Sequence, residues 1–278
     1  MIRRFFYHLF WNFYDYLGTY LVFGAAFSLS VLLLVTSVGS LGGSVGSNVI
    51  RFSLIAAAAI GSWLLLSAAL AGFMPFALRA ARDHTPRVPE LLRYMRENLR
   101  RYCWLLLLVS AGAALIGVNV VFYFRMSVAA KGSVAMVGTV LGAVFFWLGF
   151  AAFTYATVLV VVAAEKSTLR TLARRAFMAM ALAPGLWVAT MVTLIGGIAL
   201  CLLSRVGIVF VLPWFATGAA TAYHIVEQHA DYLSEAREAI GPDQSVSAYR
   251  KKALDLAWQW ELRQPRRTLR ELIKPWEY

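Results

Sequence analysis

The chain has 278 residues, of which 60% are apolar and only 14% charged, with a formal net charge of +12. A mean hydropathy of +0.68 excludes an ordinary soluble globular domain and fits an all-α, polytopic membrane helix bundle. From residue 227 onward nine Lys/Arg balance nine Asp/Glu, so the whole positive excess belongs to the membrane half and gives no reason to expect a nucleic-acid partner.

Residues 5–16 (FFYHLFWNFYDY) hold eight aromatics behind Arg3 and Arg4, a density suited to the headgroup boundary. Residues 1–16 therefore read as a short interfacial helix that leads into a first span at 17–38. Its apolar region is too long for a secretory signal, and Asp15 interrupts the approach. Gly39 to Asn48 reads as a flexible outer loop. A second span at 53–76 follows.

The stretch from Met74 to Tyr102 then carries seven arginines against Asp83, Glu90 and Glu97. A short loop so rich in arginine stays cytoplasmic and orients every flanking span. Within it Pro89 can open a helix whose apolar face is Leu91, Met95, Leu99 and Tyr102, lying on the inner leaflet before the chain re-enters.

The third span is 102–124, and a short outer loop holds Arg125 and Lys131. The fourth, 134–164, falls in an uncharged run longer than a bilayer needs. A second basic inner segment, Glu165 to Ala183, shows an apolar stripe of Leu169, Leu172, Phe177 and Met180. The fifth span is 184–203, Arg205 marks a tight outer turn, and the sixth span is 206–226.

Residues 17–226 thus form a six-span domain, and 227–278 a cytoplasmic helical tail. Of the 26 lysines and arginines, 22 fall on the N-terminus, the two inner loops and the tail, so both termini are expected in the cytoplasm. In the tail Gly241-Pro242 breaks a first helix. A second, from about Ser245, places Val246, Tyr249, Ala253, Leu256 and Trp260 on one face. Thr268 to Glu271 fits a capping box for a last helix closed by Pro275.

No charged residue falls inside the six spans, which argues against a proton relay or an ion-coupled carrier. Asn119, Thr154, Tyr155 and Thr157 are the strongest polar candidates there, and bonding between helices is their expected role. His224 and His229 are five apart and point away from each other, so HIVEQHAD reads as a helix end and not a metal site.

Ser234 to Gly241 (SEAREAIG) is similar to the EAA loop of bacterial import permeases. Further spans follow the loop there and none follows here, so it reads as a charged helix with a glycine stop. Gly138 and Gly142 form a GxxxG that suits close packing or self-association. Cys103 and Cys201 are expected at opposite membrane faces, roughly 30 Å apart, so no disulfide is expected. Phosphate loops, nucleophile elbows and zinc-ligand sets are missing, and no catalytic residue, metal or cofactor is assigned.

Two inner joints carry a likeness. The first is Ala77-Leu-Arg-Ala-Ala-Arg82 followed by Leu92-Arg-Tyr-Met-Arg-Glu-Asn98. The second is Thr154-Tyr155, then Thr168-Leu-Arg-Thr-Leu-Ala-Arg-Arg175, leading to Pro184. With six spans, this organisation resembles the YesL family of bacterial integral membrane proteins over about residues 10–226. The chain departs from that family after the first span, where glycine and serine replace a Gly-Pro/Ala-x-Thr turn, and in its long tail.

The resemblance implies a multi-pass protein of the bacterial cytoplasmic membrane with an accessory, non-enzymatic role beside a carbohydrate uptake system. A permease or channel subunit is the alternative, and an intramembrane enzyme would need a catalytic pair that is not found. The expected partners are the lipid bilayer and either transporter components or a second copy. The expected inner interaction surface comprises Arg93, Arg96, Arg100, Arg101, Arg174 and Arg175, with Trp258, Trp260 and Trp276 of the tail. Tyr249 and Tyr278 add to those tail aromatics, and the acidic run Glu227 to Glu238 could pair with Arg93 to Arg101.

Reporter fusions after residues 88, 170 and 278 should read as cytoplasmic, and fusions near 45 and 129 as external. A strong exterior signal at residue 88 would overturn the arrangement.

Overall fold

Backbone groups inside a bilayer have no water to bond, so a chain this apolar must satisfy them within its own segments. The computed structural model describes residues 1–44, 48–82, 85–129, 131–165, 168–204, 207–241 and 245–263, and among them there is no strand. The helices are α1 (Ile2–Asp15), α2 (Leu17–Ser44), α3 (Asn48–Ala81), α4 (Val88–Ala129) and α5 (Ser133–Val162). They continue with α6 (Leu169–Leu182), α7 (Pro184–Leu203), a 3-10 turn (Gly207–Phe210), α8 (Val211–Ile240) and α9 (Val246–Arg263). The chain divides into two compact units, Met1–Ile225 and Val226–Tyr278.

Among the described residues of the first unit, four helical stretches are long and apolar enough to cross a bilayer: Val49–Ala81, Val88–Ala129, Ser133–Val162 and Pro184–Cys201. A fifth counts if Ile2–Asp15 and Leu17–Leu32, bent by 74° at Tyr16, form one span. Large apolar side chains such as Phe52, Trp104, Leu115, Trp147 and Val192 point outward. The most apolar window of α4 is only 11% buried, which is how helices look when lipid is their solvent. The protein is membrane-embedded.

The expected sixth span, 206–226, is not among these helices. Its place is taken by the 3-10 turn and the start of α8, where Ala216, Thr217, Ala219, Ala220, Thr221 and Ala222 are all buried. Small residues lower the hydropathy of this stretch but let neighbouring helices come close. Asn12 Nδ2 of α1 donates to Thr221 Oγ1 at 3.3 Å, and the Trp214 indole donates to the Thr193 carbonyl of α7 at 3.4 Å. Around it Phe13 meets Trp214 and Phe210 at ring distances of 5.4 and 5.8 Å, and Tyr16 meets Phe76 at 5.3 Å. The aromatic N-terminal segment is thus a helix that buries Phe5, Leu9 and Trp11.

Four local expectations are corrected. The glycine-serine stretch expected as a loop is helical through Ser44, with residues 45–47 outside the described residues. Glycine is tolerated there because the helix bonds its own backbone. The expected inner-leaflet helix and third span are one helix of 42 residues, about 63 Å long against a hydrocarbon core of roughly 30 Å.

The buried face of that helix is Leu91, Tyr94, Asn98 and Tyr102, while Leu99 is exposed. Gly72 of α3 admits Leu91, whose atoms would sit 3.2 Å from a Cβ placed there. The stripe expected on the second basic segment also shifts. Leu172, Ala176 and Ala179 are buried whereas Phe177 is 65% exposed, because alanine permits close packing and the large ring faces outward.

In the second unit Gly241 takes φ +83° and ends α8, and its N–H donates to the Arg237 carbonyl at 3.1 Å. Ser245 Oγ accepts from the Ala248 N–H at 3.3 Å to open α9. Tyr249 Oη donates to the Gly241 carbonyl at 2.8 Å. Ala253 is buried on the face expected to pack, but Val246 is exposed. Thr268–Glu271, Pro275, Trp276 and Tyr278 lie outside the described residues.

The GxxxG is already occupied. A Cβ on Gly138 would meet the Ser127 backbone nitrogen of α4 at 2.9 Å, and one on Gly142 the Phe124 ring at 3.5 Å. Gly138→Ala should destabilise the protein by about 1–3 kcal/mol through overpacking. Gly112→Ala, with nothing within 4 Å, should be neutral or stabilising by up to about 1 kcal/mol. Thermal unfolding in detergent reads both.

Candidate functional site

In the first unit Arg82 just past α3, Arg101 of α4 and Arg175 of α6 converge on the segment Ala163–Glu165 just past α5. The α5 helix runs out at Val162, and the N–H groups of Ala163, Ala164 and Glu165 donate to the carbonyls of Leu159, Val161 and Val162. Carbonyls just past the helix fall to Arg101 of α4: its Nη1 donates to those of Ala163 at 3.0 Å and Glu165 at 2.7 Å. A cation there also complements the negative end of the helix dipole. Tyr102, one residue on, donates its phenol to the Val160 carbonyl at 2.9 Å.

Glu165, just beyond the helix, accepts from Arg82 at the end of α3 on one oxygen and from Arg175 of α6 on the other, each at 2.5 Å. Its side chain is 22% exposed, so the two charge-assisted bonds are only partly screened. The α6 helix is held further by Thr168 as N-cap and by Tyr155, whose phenol donates to the Ala173 carbonyl at 3.1 Å. The Trp187 indole of α7 donates to the Ala179 carbonyl at 3.0 Å.

Beside this junction lies a cleft of about 420 Å³ between the end of α3, the first turns of α4 and the end of α5. Residues 88–101 of α4 form one wall and precede its apolar stretch. Arg79 pairs with Glu90 at 3.4 Å and lies 5.1 Å from the Tyr94 ring centroid. Tyr94 Oη donates to Glu90 at 2.9 Å. Partial burial and that bond to Glu90 push the Tyr94 phenol up to about 12, so it stays a donor at neutral pH. Arg93 and Glu97 form an i,i+4 pair at 2.7 Å, and Asn98 Nδ2 donates to the Tyr94 carbonyl at 3.0 Å.

The arginines expected as one interaction surface therefore separate. Arg101 and Arg175 hold helix ends together, Arg93 lines the cleft, and Arg96, Arg100 and Arg174 are exposed and enter no ion pair among the described residues. Trp258 and Trp260 belong to α9, while Trp276 lies outside the described residues. Glu165, Arg82, Glu90 and Tyr94 were missed as site residues. The one available signal was Glu165 standing alone among basic residues at the end of the long apolar run.

Asn119 and Thr154, expected to bond between helices, instead donate to the carbonyls of Leu115 and Phe150 on their own helices, while Thr157 donates to the Phe153 carbonyl on its own helix and, as expected, across to α7. Their hydroxyls and amide find a nearer acceptor one turn back. Tyr155 does bond across, and Thr157 Oγ1 also comes within 3.9 Å of Met191 Sδ. Among the described residues no cluster of His, Cys, Asp or Glu could hold a metal ion. Cys103 and Cys201 are free thiols. In comparisons with known proteins the chain matches no family model, no curated protein and no solved structure.

Glu165→Gln removes the negative charge that both arginines share and should cost about 1–3 kcal/mol, discounted toward the lower end by partial exposure. Arg93→Ala breaks an exposed i,i+4 pair and should leave stability nearly unchanged. Unfolding midpoints at low and high salt test the difference, with the larger salt sensitivity expected for the unaltered protein.

Proposed function

We propose that this is a non-enzymatic accessory protein of the bacterial cytoplasmic membrane, whose inner loops and tail dock a membrane partner. In this reading there are six spans, both termini are cytoplasmic, and residues 227–278 form a cytoplasmic tail. The partner class is transporter components, including those of a carbohydrate uptake system, in keeping with the resemblance of the two inner joints to the YesL family. The observation that carries the reading is the division of labour among the arginines. Arg82, Arg101 and Arg175 fasten helix ends, whereas Arg96, Arg100 and Arg174 stand exposed at the same junction.

An exposed arginine set on a rigid base suits an acidic or phosphate-bearing docking surface. The permease alternative needs polar groups converging on a path. The bonds of Asn119, Thr154 and Thr157 back along their own helices favour docking over transport.

Partners would be captured from native membranes with three forms of the protein: unaltered, Arg96→Glu/Arg100→Glu/Arg174→Glu, and lacking residues 242–278. The expected result is loss of the captured transporter components with both altered forms, while insertion and thermal stability persist. Retention of every partner by both forms would sink the docking reading. Substrate-dependent uptake by the protein alone in liposomes would favour the permease.

A further inference from the structure

We propose that the cleft between α3, α4 and α5 binds a phosphoethanolamine-type zwitterion, a primary ammonium joined through a short linker to a phosphate. Its charged lining is Arg79, Arg82 and Arg93 with Glu90, Glu97 and Glu165. Three positive and three negative groups leave no net charge, so neither a simple anion nor a simple cation is complemented. A ligand carrying both signs is.

The ion pairs at the cleft differ. Glu165, with its side chain 22% exposed, is held by both Arg82 and Arg175 at 2.5 Å. Arg79 and Glu90 are 3.4 Å apart, with side chains 53% and 34% exposed. Arg93, paired with Glu97 at 2.7 Å, is 75% exposed. Exposed pairs of this kind are weak and can exchange partners at small cost.

A phosphate entering the cleft takes the guanidinium groups of Arg79 and Arg93, which match its oxygens in pairs of N–H donors. That exchange releases carboxylate oxygens of Glu90 and Glu97 for an ammonium, whose three N–H donors suit two carboxylates. Arg79 is already oriented by the Tyr94 ring, and Tyr94 by its bond to Glu90. The cleft also has an apolar side at Pro75, Leu78 and Ala164, and it lies just where α4 turns from polar to apolar sequence. This is headgroup depth, so phosphatidylethanolamine and soluble glycerophosphoethanolamine offer the same chemistry from two sources.

The inference does not rest on the docking reading, and its test uses no protein partner. Full-length protein in detergent would be titrated with phosphatidylethanolamine, phosphatidylcholine and phosphatidylglycerol, and retained lipid counted by native mass spectrometry. Phosphatidylethanolamine should bind about ten-fold or more tightly than either comparison lipid, because a choline has no N–H donor and a glycerol no cation. Arg79→Gln/Arg93→Gln and Glu90→Gln/Glu97→Gln should each abolish that preference, while Lys131→Gln, outside the cleft, should keep it.

Helical content and unfolding midpoint establish that each variant folds, and the headgroup series on unaltered protein decides the matter if one does not. Competition by glycerophosphoethanolamine would show that the free zwitterion binds; retention of the lipid alone would make the membrane its source. Equal retention of the three lipids, or a preference untouched by both pairs of substitutions, overturns the proposal.

Discussion

Helices α3, α4, α5 and α6 are tied together just past the end of α5 by one glutamate and three arginines. Glu165 takes Arg82 from α3 and Arg175 from α6, and Arg101 from α4 covers the carbonyls where α5 stops. Lipid tails are as apolar as leucine, so burial of greasy surface gives these helices no preference for one another. What selects one arrangement is close packing along their length and polar matching at their ends. The polar end is the more specific of the two, because a charge displaced from its partner remains in a partly water-excluded setting.

Close packing supplies the rest, and it follows small residues. Gly138 lets α5 approach the backbone of α4, and Gly72 lets the first turns of α4 settle on α3. Large residues have gone outward: Phe177 is exposed on α6 while Leu172, Ala176 and Ala179 are buried. The start of α8 takes this logic furthest, with a run of buried alanines and threonines. A helix shielded from lipid can afford a composition that a lipid-facing helix cannot.

The same economy of residues gives the arginines two kinds of work. Their number gives the segments that carry them a common bias toward one side of a membrane, whatever each side chain touches. Individually, some close the bundle and others remain available to a partner or a headgroup. A ligand in the neighbouring cleft would contact Arg79 and Arg93 without disturbing the pairs on Glu165. Binding chemistry and the integrity of the bundle can therefore vary separately.

Composition and charge placement determined that the chain is helical, that it is membrane-embedded and where most helices run, because hydropathy and helix breaking are local properties. Gly241 as a stop and Pro184 as a start were legible for the same reason. Tertiary structure alone decided which face of α4 is buried, since Tyr94 and Asn98 are polar enough to look solvent-facing until α3 packs over them. It decided the direction of the Asn119, Thr154 and Thr157 hydrogen bonds, because a donor has a carbonyl one turn back in any helix and composition does not rank the two choices. It separated Arg82, Arg101 and Arg175 from their neighbours, which look alike in sequence. What distinguishes Arg82 and Arg101 is the arrival of Glu165 and the end of α5 from more than sixty residues away, and what distinguishes Arg175 is the Glu165 carboxylate ten residues before it.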